Sequence, residues 1–482
     1  MNYRKVLNLC GRIMIVHALL LIAPLLVSLI YKDGQWLPFI ITMGVSLVIG
    51  VPCRFVKQKK KEIYAREGLV VVALAWILYS IVGGLPFFIS GQIPNFADCI
   101  FETASGFTTT GSSILTDVES MSKSLLFWRS FTHWIGGMGV LVFITALLSD
   151  KDGRTSHIMR AEMPGVKLGK LAAKWQFSVR ILYGIYIALS VIEFVLLLLG
   201  GMNVYESLVH MFGTAGTGGF GVKGASIGYY DSTYIDYVIG IFMMLFGVNF
   251  NIYYLILIRQ FMPVVKNSEL RLYLGIILTA SLVITLNIMG IYGSPLTALR
   301  YAFFQVSSIV TTTGYATADF CTWPMLSQII LLLLMFVGGC AGSTGGGLKV
   351  IRISILGKSC VNEIKRSFSP RSVMTVKNDG RSLETEVVRG TASYLVVYSI
   401  IMALSILVVS LDNFDATTTI TSVITTLNNI GPGLGEIGPT GNFSEFSVLS
   451  KLVLSFDMLA GRLELFPMLA IFSPALWRRY RI

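Results

Sequence analysis

Long apolar stretches alternate along this chain with short segments of mixed polarity and with Gly/Thr-rich turns. Two apolar stretches open it, near Ile13–Ile30 and Pro38–Val56, and a basic stretch follows. One pattern then repeats four times: a long apolar span, a shorter and partly polar segment, a Gly-rich turn, and a second long span. The first copy uses about Leu69–Ser90, Ala97–Thr109 and Leu125–Leu148, and the second about Val179–Gly200, Val204–Ala215 and Tyr234–Ile258. The third uses about Leu272–Ile291, Pro295–Thr312 and Leu326–Leu356, and the fourth about Ala392–Leu411, Ala416–Leu427 and Phe446–Phe472. A helix of about 20 apolar residues crosses a hydrocarbon core. The long stretches meet that length; the middle segments do not and are expected to re-enter. The pattern therefore predicts an all-α polytopic membrane protein of about ten transmembrane helices and four re-entrant half-helices. Its parts are a helix pair at 1–66 and four pore repeats at 67–178, 179–266, 267–389 and 390–482. The first apolar segment follows Arg4 and Lys5 and lacks an Ala-x-Ala-like cleavage site, so it reads as a retained helix.

The four turns are Thr108-Thr109-Thr110-Gly111-Ser112, Gly216-Thr217-Gly218-Gly219-Phe220, Thr311-Thr312-Thr313-Gly314-Tyr315 and Asn428-Asn429-Ile430-Gly431-Pro432. Their glycines lie roughly a hundred residues apart, room for two crossings plus loops. Recurrence of one turn in one repeating unit suggests a pseudo-fourfold pore lined by backbone carbonyls.

Charge fixes the orientation. Only 13% of residues are charged, against about 25% in an ordinary soluble chain. The net charge of +12 would suit a polyanion, but its positions argue otherwise. Lys and Arg gather in Arg54–Arg66, Lys151–Arg180, Lys349–Arg389 and Arg478–Arg481, all on one side of the counted spans. Gly91–Asp98 and Gly433–Ser447, on the other side, carry almost none. This is the positive-inside asymmetry, so both termini and the basic loops are expected in the cytoplasm, and nucleic acid is not an expected partner. The six cysteines and four histidines are dispersed, with neither a zinc-ligand spacing nor a disulfide framework.

The turns suit a cation. A dehydrated ion needs replacement oxygens, which carbonyls supply without net charge. Aiming several of them one way requires conformations that glycine tolerates, and a Thr hydroxyl adds a further oxygen. A half-helix ending just before each turn points its negative dipole end at the pore. Gly and Thr also mark helix packing, so a single Thr-Thr-Gly would say little, and the fourfold recurrence is what favours a filter.

The residues also carry a resemblance. Phe101–Ser113, Trp128-Arg129-Ser130, His133–Gly139, Gly338–Lys349, Asn428–Gly433 and Gly461–Glu464 are similar to the motifs of the Trk/Ktr/HKT superfamily of potassium transporters, in particular its bacterial TrkH/TrkG branch. The likeness runs essentially the whole length. It implies four non-identical helix–loop–helix units around one pore, in a homodimer, with a K+ filter at Thr110, Gly111, Thr217, Gly218, Thr313, Gly314, Asn429, Ile430 and Gly431. The fourth turn departs, having Asn428, Asn429 and Ile430 where the others offer threonine. In this superfamily a serine in the first loop goes with sodium permeation, so Gly111 implies a preference for potassium.

Two features interrupt the later spans. Six glycines fall within ten residues, at Gly338, Gly339, Gly342, Gly345, Gly346 and Gly347. Each costs a helix roughly 1 kcal/mol relative to Ala, and a break at membrane depth is tolerated where it lines a cavity or is covered by protein. A broken segment under a filter reads as a movable gate, as the resemblance also implies. Gly342–Lys349 looks like a phosphate-binding loop but has Leu348 where lysine is required and no preceding strand, so no nucleotide is expected on this chain. Arg462 lies in the last long span and is costly there. It reads either as a structural ion pair with Asp457 or Glu464 or as a pore-facing electrostatic barrier, and the resemblance favours the barrier. Asp98, Glu102 and Glu206 sit on or beside the half-helices; they either attract cations to the outer mouth or bond the loop backbones, and for Glu102 the second reading is favoured.

The sequence thus predicts potassium uptake across a bacterial inner membrane through a gated pore, without covalent chemistry. The resemblance implies a cytosolic TrkA-type subunit that binds NAD and ATP or ADP. The basic stretch Asn362–Arg389 reads as its docking loop or as a solvated linker. A proton- or sodium-coupled symporter is the alternative.

Overall fold

A computed structural model describes residues 2–56, 65–139, 172–369, 371 and 374–474. The expected tail of the first repeat to Leu148, His157, most of the Lys151–Arg180 cluster and the terminal arginines lie outside the described residues. Among the described residues, six helices are long and apolar enough to cross a membrane, or seven if the bent pair Thr233–Phe246 and Phe250–Leu257 counts as one span.

Helices Tyr3–Leu20, Ile22–Tyr31 and Trp36–Phe55 form the N-terminal pair. The first begins ten residues before the expected apolar start, because Asn2 caps it by accepting from the Lys5 amide at 3.3 Å. The pair crosses through Gly11 and Gly50; a Cβ on Gly11 would meet Gly50 O at 2.6 Å. Small residues let helix backbones approach closely in a membrane.

The outer helices of the four repeats are Ala65–Gly83, Ala172–Leu199, Ser268–Tyr292 and Thr385–Val409. The pore helices are Phe96–Phe107, Val204–Gly216, Pro295–Val310 and Ala416–Leu427, at most 16 residues long. Three of them start at a side chain that accepts a first-turn amide: Asn95 from Ala97, Asn203 from Glu206, and Asp415 from Thr417 and Thr418. The other starts with Pro295, pre-set for a first helical position. The expected boundaries at 178/179 and 389/390 fall inside outer helices.

The inner helices correct the expectation of continuous spans. Three of them break among the described residues: at Gly247–Asn249 with a 90° bend, between Leu334 and Val350, and at Leu463–Leu465; the first ends at Gly137, and its expected continuation lies outside the described residues. Only the break in repeat 3 was expected. The stretch Asn362–Arg389 is also less loop than expected. Helix Val350–Phe368 runs into it, a two-stranded hairpin pairs Lys377–Asn378 with Arg381–Ser382, and the fourth outer helix takes its last residues.

The repeats close into a ring. The inner helix of repeat 1 packs on the pore helix of repeat 2, that of repeat 2 on the pore helix of repeat 3, and that of repeat 4 on the pore helix of repeat 1. Ion pairs cross these seams: Arg300–Asp236 at 2.6 Å and Lys451–Asp98 at 2.8 Å. Glu102 is buried, as its hydrogen-bonding reading requires: it accepts from Ser113 Oγ at 3.0 Å, the Ile114 amide at 2.9 Å and Arg129 Nε at 2.5 Å. Arg129 lies over the Phe220 ring and donates to Gly221 O, so one buried pair ties repeat 1 to the second loop. Removing one partner of a buried pair leaves an uncompensated charge, a loss of about 3–5 kcal/mol. Glu102→Gln should lower unfolding stability in detergent by that order. Glu119→Gln, at the exposed Lys223 pair, should change it by less than about 1 kcal/mol.

Candidate functional site

Each pore helix ends in a turn whose backbone inverts at every second residue. Positive φ occurs at Thr109 and Gly111, at Thr217 and Gly219, at Thr312 and Gly314, and at Asn429 and Gly431. Within each pair, the intermediate residue donates its amide five residues back: Thr110 to Ser105 O, Gly218 to Gly213 O, Thr313 to Ser308 O and Ile430 to Thr425 O, at 2.8–2.9 Å. Inverting alternate residues turns successive carbonyls toward one side, which an extended strand cannot do.

These equivalences shift the second loop by one residue from its sequence reading. Gly218 corresponds to Thr110, Thr313 and Ile430, and Gly219 corresponds to Gly111, Gly314 and Gly431. Gly219 was missing from the expected filter residues because Gly-Thr-Gly-Gly offers two registers. The structural signal is a side chain from the neighbouring repeat: a Cβ on Gly218 would run into the His133 ring, which is held by Nδ1 donation to Gly106 O at 2.8 Å.

The glycines set the spacing between repeats. A Cβ on Gly111 would overlap Gly218 O, one on Gly219 would overlap Thr313 O, and one on Gly314 would overlap Ile430 O. One on Gly431 would meet Thr110 O at 2.8 Å. Each glycine therefore faces the carbonyl of the next repeat, and the series returns to its start. The four carbonyls form a ring whose members are held apart by only a Cα. The side chains of Thr110, Thr313 and Ile430 are buried behind it; the Thr110 and Thr313 hydroxyls pair with those of Thr108 and Thr311 at 2.8 and 2.7 Å.

A cavity of about 140 Å³ lies outside this ring, bordered by Gly111, Gly219, Gly314 and Gly431. A smaller one of about 60 Å³ is bordered by Gly137, Gly345, Gly346, Gly347 and Arg462. The glycine-rich segment is a tied loop rather than a slack one. Gly338 donates its amide to Leu348 O at 2.8 Å, and Glu269 accepts the Ala341 amide at 2.7 Å. Cys340 donates to Gly247 O at 2.9 Å, while Phe250 donates to Gly342 O at 3.2 Å. The backbone groups freed by the break in the second inner helix are thus satisfied by the loop of the third.

Arg462 meets backbone carbonyls. Its guanidinium donates to Thr344 O and Gly136 O at 2.6 Å and to Gly137 O at 2.9 Å. Glu464 bonds Arg352, and Asp457 accepts from Ser405 Oγ at 2.9 Å. Arg462 therefore joins the loop of repeat 3 to the end of the inner helix of repeat 1, beneath the ring. Asp98 pairs with Lys451, and Glu206 lies in the first turn of the second pore helix.

Comparison with known proteins agrees with this arrangement. A family model described as TrkH, cation transport protein, matches residues 38–292 and 288–479. The Trk system potassium uptake protein TrkH of Salmonella typhimurium is 37% identical, over 99% of this chain and all of that protein. TrkG of Escherichia coli, also a Trk system potassium uptake protein, is 32% identical over 99% of each. The crystal structure of the potassium transporter TrkH from Vibrio parahaemolyticus superposes with a TM-score of 0.89 at 33% identity, covering 99% of this chain and all of that one.

A left-handed glycine facing a carbonyl tolerates no side chain. Gly219→Ala should abolish cation flux into proteoliposomes or reduce it more than tenfold. Gly224→Ala, where a Cβ meets nothing within 4 Å, should leave flux within twofold.

Proposed function

The chain belongs to the TrkH family of cation transport proteins, and on that footing we propose that it takes up potassium through the central pore as the membrane subunit of a Trk-type system. The observation that carries this reading is the closed series of glycine-to-carbonyl approaches. It holds the oxygens of Thr110, Gly218, Thr313 and Ile430 at one level, where they can replace the hydration shell of a cation. The filter comprises Thr110, Gly111, Thr217, Gly218, Gly219, Thr313, Gly314, Asn429, Ile430 and Gly431. The pore helices end just before these residues, so their negative ends favour a cation there. No step requires bond chemistry; the protein is a transporter and not an enzyme.

The gate is the loop containing Gly338, Gly339, Gly342, Gly345, Gly346 and Gly347, with Arg462 fastened beneath it. A guanidinium at this depth both repels a cation and holds the loop closed through Thr344 O. The protein works as a homodimer in the bacterial inner membrane with both termini in the cytoplasm. A TrkA-type NAD-, ATP- and ADP-binding subunit docks on its basic cytoplasmic face. Asp457, buried in the fourth inner helix, supports a second reading in which uptake is coupled to protons; rubidium flux at zero proton gradient separates the two.

Rubidium flux in liposomes with sodium competition tests the filter. Gly314→Ser should reduce flux and shift the preference toward sodium; unaltered flux and selectivity would count against the assignment. Arg462→Ala should raise flux several-fold at equal expression, and an equal or lower flux would remove the barrier from the mechanism.

A further inference from the structure

Gly346 joins the gate loop to the underside of the filter. Its amide donates to Thr312 Oγ1 at 2.7 Å. Its Cα faces the fourth filter turn so closely that a Cβ would meet Asn428 O at 2.7 Å and Asn429 Cβ at 2.8 Å.

Thr312 belongs to a set of four. Thr109, Thr217, Thr312 and Asn429 each precede a ring carbonyl residue by one position, with φ of 56–58°. Asparagine adopts this conformation readily, whereas a β-branched residue is an outlier there, at a cost of roughly 1–3 kcal/mol. Three strained threonines at one level invite the question of what their hydroxyls do. Thr217 Oγ1 donates to Gly216 O at 2.6 Å. Among the described residues, Thr109 Oγ1 is buried without a hydrogen-bond partner, as is Asn429 Oδ1. Asn429 Nδ2 donates to Thr110 Oγ1 and Met458 O, both at 2.9 Å. Within this set, the Thr312 hydroxyl is the one that accepts from the gate loop.

We propose that Thr312 is a latch, a positioning residue that fastens the closed gate loop to the filter through the Gly346 amide. The proposal rests on the filter and gate reading above. Opening breaks this bond. The Thr312 oxygen is then released toward the space the loop vacates, beside the unpartnered Thr109 Oγ1 and Asn429 Oδ1. The inner level of the filter thus presents its full set of oxygens only once the gate has moved, so the permeation path and the gate share one hydroxyl.

Thr312→Val keeps the branched shape and removes the acceptor. In full-length protein reconstituted without a regulatory subunit, it should raise basal rubidium flux several-fold, while Thr312→Ser should stay near the parent. Gly346→Ala should raise basal flux as well, because its methyl must push the loop off Asn428. Thr109→Val, which removes an oxygen from the same level but touches no loop contact, should lower flux and alter the rubidium-to-sodium ratio. Equal or lower basal flux in Thr312→Val, or identical behaviour of Thr312→Val and Thr109→Val, would overturn the latch. The filter assignment is judged separately by Gly314→Ser. Should Thr312→Val fail to elute as folded protein, Gly346→Ala decides, and unchanged basal flux there rejects the proposal.

Discussion

The close approach of one loop's glycine to the next loop's carbonyl is the constraint on which the molecule depends. Four turns must meet edge to edge, with a Cα and no side chain between them. Everything around them supplies the missing support. The pore helices are almost wholly buried along their C-terminal halves. Their last carbonyls press into glycines of the inner helices: a Cβ on Gly136 would overlap Phe107 O, and one on Gly461 would overlap Leu427 O. Buried pairs such as Arg129–Glu102 add little net stability, since desolvation offsets their attraction. What they fix is which loop lies beside which.

Much of this was legible in the sequence because local chemistry and global fold agree. The short segments Ala97–Thr109, Val204–Ala215, Pro295–Thr312 and Ala416–Leu427, each closed by its Gly-rich turn, lie within two residues of the four pore helices at both ends. Apart from the glycine-rich break of repeat 3, the breaks in the inner helices were not legible. Thr233–Leu257 reads as one apolar run, and nothing local requires a right-angle bend at Gly247. The bend exists because Cys340 and Gly342, nearly a hundred residues on, take up the backbone groups it exposes. The partners of Arg462 were hidden for a related reason: carbonyls at the end of a helix leave no trace in side-chain identity.

The broken inner helices also change how the repeats are joined. In an unbroken helix the i to i−4 ladder consumes every carbonyl. Here free carbonyls at Gly136, Gly137, Phe246 and Gly247 act as receptors for neighbouring repeats. The glycine-rich loop is held largely by hydrogen bonds between its backbone and neighbouring repeats.

The second loop carries a last consequence. Gly218 has no side chain where the other repeats have threonine or isoleucine, and the His133 ring of the first repeat occupies that space. A side chain is in effect borrowed from the neighbour. Making the four turns identical in sequence would therefore not make the pore symmetric: threonine at 218 would collide with a borrowed imidazole. The quasi-symmetry is a property of the assembled backbone, and the second turn has lost the freedom to drift independently of the first repeat.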